Sequence, residues 1–437
     1  MLGVHRHLRL AKVGTLILLS LFPSLLQAKK YSIAELVTQT QFADLKIREN
    51  AENLFQKHQS IKVAIGRIIP SLNLNLILNI FSESYLDVAT SALSFLLPAN
   101  WFRWKESKLI YEAERYSYVS LIANEINTII SASYRIHYIK SLFQMYTDYL
   151  AELYKVVLRQ EAIYETGESN LQSLLSLKNF LIKIKTDRDT LELDLAQLKI
   201  SLANGLGLPQ EEWPSFDLED LVLPNLADQK ELDLSTFTSE RLERSPEIIN
   251  LDYLILASKF AMKTRIFEFM TPVASADSAL GTGFPSYVRV QKSMTRQLKI
   301  RRKDTLRTLE SGLKETALSF NTMIKLYKLN SLALANEHQI QYAIHAKIMN
   351  DQTFKIEEII ANFEDLFRFR SRMLDAQHKF LIAQEQIRRF LLNPPHYDRL
   401  IELAPSKRRE RRALIHKLED YRINKALAAG KIKIPKP

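Results

Sequence analysis

The chain has no cysteine, which excludes disulfide staples and any lipid carried on a cysteine. Glycine is scarce at 10 of 437 residues and proline modest at 14, so few positions interrupt a helix. Beyond the N-terminus there is no apolar run of about 20 residues, and the mean hydropathy is -0.13. Both argue against membrane-spanning helices. Catalytic motifs are missing too. The nine histidines are scattered, with His5 and His7 at the extreme N-terminus, and no pair sits at ligand spacing beside carboxylates. Gly281-Thr282-Gly283 lacks the strand, further glycine and Lys-Ser/Thr of a phosphate loop. Asp187, Asp189, Glu192 and Asp194 form an acid-rich stretch that reads as a solvated helix face. No residue set supports an enzyme, and none calls for a cofactor or metal.

What remains is a helical, apolar-rich composition. Hydrophobic residues make up 46% and charged residues 25%, enough to bury an extended core. Arg6, Arg9 and Lys12 precede an apolar stretch from Val13 to Leu26, with Ala28 before Lys29, the pattern of a secretory signal peptide over residues 1–28. Its removal takes three cations from a formal charge of +11. A retained signal anchor is the alternative, because Leu26 stands where a smaller residue is usual.

An internal duplication organises the rest. Leu174, Leu177, Leu181, Ile184, Arg188, Leu191, Leu195 and Leu198 step by threes and fours, the rhythm of a left-handed coiled coil. An offset of ~182 residues lands on Ile356, Ile359, Phe363, Leu366, Arg370, Met373, Gln377 and Phe380. Only Leu195 against Gln377 breaks the match, and the arginines coincide. Ala43-Asp44-Leu45 before Pro70 likewise resembles Pro246-Glu247-Ile248 before Pro272. Each half reads as a first helix (about Ile33 to Ile69; about Thr236 to Met270), an extended stretch, a long helix (about Phe102 to Tyr164; about Arg296 to Met349), a break and the ladder helix. At 1.5 Å per residue the long helices would span about 80 to 95 Å, too long to stand without partners. The boundaries are repeat 1 over 29–207, a proline-containing linker over 208–235, repeat 2 over 236–392 and a basic tail over 393–437.

The extended stretches carry a period of two. Leu72, Leu74, Leu76 and Leu78 alternate with Asn73, Asn75, Ile77 and Asn79, and Leu93, Phe95 and Leu97 follow the same period against Thr90, Ala92 and Ser94. Segments of about 10 residues suit strands crossing an outer membrane, and equally a half-buried soluble hairpin. In the second half only Val273 to Ala276 and Tyr287 to Gln291 are strand-like.

At this point the residues resemble the TolC-type outer-membrane efflux family. The resemblance rests on Arg244-Ser245-Pro246-Glu247-Ile248 ahead of Pro272, on Ile69-Pro70-Ser71-Leu72, on Tyr164-Glu165-Thr166-Gly167-Glu168-Ser169-Asn170-Leu171, and on Leu202-Ala203-Asn204-Gly205-Leu206-Gly207. It covers nearly the whole chain from residue 29 to Leu392. It implies a mainly α fold with a small β part: two tandem repeats of helix, strand pair and long antiparallel coiled-coil hairpin. Three chains would form a helical tunnel with a small β-barrel. It further implies an outer-membrane location extending into the periplasm, and a passive conduit for small molecules or polypeptides in a tripartite efflux or type I secretion system. The implied partners are two sister chains, a periplasmic adaptor, an inner-membrane pump and outer-membrane lipid. Hairpin tips for adaptor docking would fall at Gly167, Glu168, Leu171, Leu174 and Leu175, and at Asn350, Asp351 and Gln352. Arg188 and Arg370 either pair with nearby acids or ring a narrowing of the lumen.

Three departures stand out: short strand regions, a second tip without glycine, and the tail. These leave a second expectation, a non-conducting periplasmic coiled-coil protein built on the same fold. The tail's Lys407-Arg408-Arg409-Glu410-Arg411-Arg412 has few interleaved aromatics, so a solvated or headgroup-touching arm is expected rather than a nucleic-acid binder.

Overall fold

The computed structural model describes residues 30–68, 96–167, 170–213, 215–233, 239–268, 284–349, 356–397 and 400. The expected signal peptide, Leu72, Leu74, Leu76, Leu78, Leu93, Phe95, Glu168, Asn350, Asp351, Gln352 and most of the basic tail lie outside them.

The described chain is mainly helical. A two-residue strand β1 (Lys30–Tyr31) precedes α1 (Ile33–Ala43), whose start is a capping box. There the Ser32 N–H donates to Glu35 (3.1 Å) and the Glu35 N–H to Ser32 Oγ (3.2 Å). The single first helix expected over 33–69 is in fact two. Asp44 adopts an extended backbone, and its carboxylate accepts from the N–H groups of Lys46 and Ile47, capping α2 (Leu45–Gly66). The long helix α3 (Pro98–Glu165) begins on a proline, which suits a first helical position. Leu97, expected to close a strand, lies outside any strand: its carbonyl accepts from the Asn100 N–H in the entry to α3. The ladder helix α4 (Leu171–Gly205) is capped by Asn170, which accepts from the Ser173 N–H at 2.8 Å.

After β2 (Asp217–Leu218) come α5 (Ser239–Leu242), α6 (Pro246–Phe267), α7 (Phe284–Met349) and α8 (Ile356–Leu391). Tyr287 to Gln291, expected as strand, lies in the first two turns of α7. Pro285 loses no hydrogen bond in a first turn, and the alternating residues bury nothing there, since Val290 is exposed. No described helix is long and apolar enough to cross a membrane.

The described residues gather into two compact units. The first takes the described residues of 30–39, 129–230 and 322–382. Its core joins α3, α4 and α8 through Met145, Leu153, Leu177, Ile184, Phe363 and Leu366. Tyr149 and Phe367 meet ring to ring at 4.2 Å. On α4 the ladder face is the shielded one: Leu174, Leu177 and Ile184 are buried, and Leu181, Leu191, Leu195 and Leu198 are half-buried. Leu177 is completely enclosed, so Leu177→Ala is expected to cost about 2–5 kcal/mol in urea unfolding.

The rung that breaks the repeat also has a reason. Gln377 is buried, and its amide donates to the Pro224 carbonyl at 2.8 Å, tethering the segment after α4. That segment is more than a linker. Its β2 pairs in parallel with β1, Phe216 stacks on Tyr31 at 5.3 Å, and Leu208, Phe216 and Leu218 join a second core cluster.

Also in this unit, His378 is buried and stacks on Tyr138 with ring centres 4.9 Å apart. Burial lowers its pKa to about 4, assisted by Arg135 and Lys379 and opposed by Asp375. The folded state keeps this ring neutral while the unfolded chain takes up a proton near pH 6.5. Stability is therefore lost as pH falls from about 6.5 toward 4, by about 3 kcal/mol in total. His378→Phe, which keeps a stacking ring, should flatten this part of the unfolding-versus-pH curve.

The second unit takes the described residues of 40–128, 231–321 and 383–400. Here polar contacts tie the helices together. Asn250 of α6 donates to the Ala113 carbonyl of α3 at 2.6 Å, and Arg302 of α7 makes a two-pronged bond to Asp252 at 2.7 and 3.2 Å. Arg389 of α8 pairs with Glu247 of α6, which also accepts from Ser120 of α3 at 2.7 Å. Gly312 permits a close approach, because a Cβ there would lie 3.1 Å from the Phe390 ring.

Candidate functional site

Three surfaces of the described chain bear on the expected site residues. The first is the turn between α3 and α4. Gly167 closes it with φ +78°, a left-handed conformation in which a side chain is strained. Just beyond, Leu171 and Leu175 are about half exposed. Leu174, expected beside them at the tip, instead points into the core, because it is the first rung of the buried ladder. The second expected tip lies outside the described residues.

The two arginines at matching rungs behave differently. Arg188 is bound by its neighbour Asp189, with the guanidinium 2.6 Å from Oδ1. Arg370 lies 5.9 Å from the Tyr149 ring centre. Burial raises the pKa of that tyrosine, while Arg370 pulls it down. Arg370 also lines a cleft of about 390 Å³ with His137, Lys140, Asp148 and Asp220. Lys140 pairs with Asp220, and Lys30 reaches the same carboxylate at 3.5 Å. Burial lowers the pKa of His137, with Lys140 acting in the same sense and Asp220 and Asp217 against it. The cleft thus holds charge of both signs. Among the described residues, no group of three His, Asp or Glu side chains converges for a metal.

The third surface is one that the ladder pattern alone does not disclose. On α4, Leu171, Leu175, Ile182, Leu193 and Ile200 are 44% to 59% exposed. At 3.6 residues per turn they share an arc of roughly 40°, centred about 145° from the buried ladder. On α7, Leu329, Leu332 and Ile340 are 46% to 65% exposed. Their arc is roughly 80°, again about 145° from the face that buries Leu313, Phe320 and Ile324. Each helix therefore has one apolar seam filled within the chain and another left open. Spacings of 7, 11 and 18 residues mark the α4 stripe in the sequence and identify one helical face.

No protein-family model matches the sequence, and no curated protein matches it significantly. The fold does have relatives among solved structures. The CmeC outer membrane channel of Campylobacter jejuni superposes with a TM-score of 0.70, covering 85% of this chain and 89% of its own at 9% identity. The outer-membrane channel OprN gives 0.68, covering 82% and 89% at 12% identity. The open state of the MtrE outer membrane channel of Neisseria gonorrhoeae gives 0.63, covering 82% and 88% at 11% identity. At such identities the likeness concerns the fold: this chain has the mainly α fold of TolC-type outer-membrane channels.

Proposed function

We propose that three copies of this chain assemble into a passive channel of the outer membrane, extending into the periplasm and serving an efflux or type I secretion system. The observation that carries this reading is the second apolar seam on α4 and on α7. Water-exposed leucine and isoleucine stripes along one helical face mark a contact with another molecule. The two stripes differ, so a copy that offers its α4 stripe to the α7 stripe of the next makes a head-to-tail contact. Such contacts close into a ring when the rotation allows. A helix with apolar seams on two well-separated faces is suited to a wall in which it has a neighbour on either side. The solved channels of the same fold support a hollow assembly.

On this reading transport needs no bond-making step, and specificity resides in partners. Leu171 and Leu175, beside the Gly167 turn, would meet a periplasmic adaptor, which in turn joins an inner-membrane pump. Arg370, with its mixed-charge cleft, would face the lumen, whereas Arg188 is held by Asp189. Residues 72–95 would supply strands to the barrel. The mass of the purified protein in detergent, by light scattering corrected for bound detergent, tests the assembly. Three chains per particle support it; a single chain rules it out.

One observation favours the second reading, a non-conducting structural protein. Because α7 begins at Phe284, only residues 268–283 separate it from the end of α6. Two membrane-crossing strands need roughly 20 residues. Ion conductance separates the two readings.

A further inference from the structure

Around the first turns of α3 and the last turns of α6, the second unit carries a surface rich in aromatic rings and cations. Residues 101–108 and 260–268 hold Arg103, Lys105, Lys108, Lys263 and Arg265 against only Glu106 and Glu268. Glu268 is already engaged, by Arg103 at 2.8 Å and Arg265 at 2.6 Å. The three lysines sit instead over rings. Lys108 Nζ lies 3.9 Å from the Trp104 ring centre, Lys105 5.7 Å from that of Phe260, and Lys263 5.6 Å from Phe102 and 5.3 Å from Phe260. All three are exposed, as is Trp101, which meets Trp104 edge to face at 5.8 Å.

We infer that this surface binds the phosphate groups of anionic phospholipids in the periplasmic leaflet of the outer membrane. This rests on the channel reading above. Tryptophan and tyrosine rings settle at the headgroup level, where one edge is apolar and the other wet. A lysine held over a ring face has its stem covered and its ammonium turned toward solvent. Three such ammonium groups with no carboxylate of their own complement a layer of phosphates. Chain position agrees. In sequence the surface lies between residues 72–95 and residues 269–283, the two connecting stretches that the channel reading assigns to lipid. A protein partner would be served as well by the rings, but not by an excess of cations spread along two helix ends.

The test uses the full chain in phosphatidylcholine vesicles with the substitutions W104F and W213F, which leave Trp101 as the only tryptophan and keep a ring under Lys108. Flotation with the vesicles first establishes insertion; failure to float counts against the channel reading itself. In floated protein, Trp101 emission should be quenched by bromine near the headgroup more than by bromine at the chain ends. Brominated phosphatidylglycerol should quench at least fivefold more effectively than brominated phosphatidylcholine at equal mole fraction. About fivefold is expected per lysine near an anionic surface. K105Q/K108Q/K263Q should reduce the lipid preference to about one while leaving flotation unchanged. Floated protein whose Trp101 is not quenched, or is quenched equally by both lipids, overturns the inference.

Discussion

Replacing Leu329 and Leu332 by aspartate is expected to dissolve the proposed trimer into monomers without reducing helical content. Both side chains are about two-thirds exposed in the single chain, so neither supports its fold. Burying a leucine contributes about 1.5–3 kcal/mol, and each chain would bury this pair once in a closed ring. Losing both removes roughly three to six kcal/mol per contact, a factor of more than 100 in association. The introduced carboxylates would also lose hydration on association, with no cation provided for them. Light scattering and far-ultraviolet circular dichroism on the same sample separate the outcomes. Loss of mass with helix retained is the predicted result. A double variant that remains trimeric would show that this stripe is not the contact. Ile182 and Leu193 of α4 provide the reciprocal pair and should behave alike.

The second large effect concerns the fold of one unit. Arg389→Leu should destabilise the protein by about 3–5 kcal/mol, because it strands Glu247 among buried groups. Both side chains of this pair are largely shielded from water, and Arg389 also donates to Asn124 at 2.8 Å. Burial alone would raise the Glu247 pKa, but Arg389 and the Ser120 hydroxyl outweigh it and hold the carboxyl below its usual range. A carboxyl with a depressed folded pKa contributes stability above its unfolded pKa and loses it as pH falls through the folded value. Without Arg389 the balance reverses and the neutral form is favoured. The penalty of the substitution should accordingly shrink as pH drops from 7 toward 4. Urea midpoints at the two pH values give the comparison, and a penalty independent of pH would contradict the assignment.

Much of this architecture is written in spacing. The ladder from Leu174 to Leu198 and its counterpart from Ile356 to Phe380 pick out the buried faces of α4 and α8, since a three-four rhythm can serve only one helix face. Gly167 announces its turn because a left-handed residue with a side chain is strained. Other features were not legible, for physical reasons. Asp44 divides the first helix by capping, yet the same carboxylate also suits a continuous helix surface. Tyr287 to Gln291 alternates like a strand, but Pro285 suits the opening turn of a helix and α7 runs through the segment. Gln377 looks like a lost rung until its bond to Pro224 is seen, a contact between residues 153 apart in sequence. The open stripes on α4 and α7 were present in the spacing all along. They are masked by the stronger ladder, because a helix with two seams has no single polar face to give it contrast. The lysine–aromatic surface depends on the ends of two helices distant in sequence, which no local pattern reveals.

Current across a planar lipid bilayer to which the purified protein has been added is the most direct measurement of a hollow assembly. Discrete, uniform conductance steps are predicted, absent with the L329D/L332D protein at the same concentration. A bilayer that stays silent while the same preparation is trimeric and inserted in lipid would mean that the helices enclose no open passage.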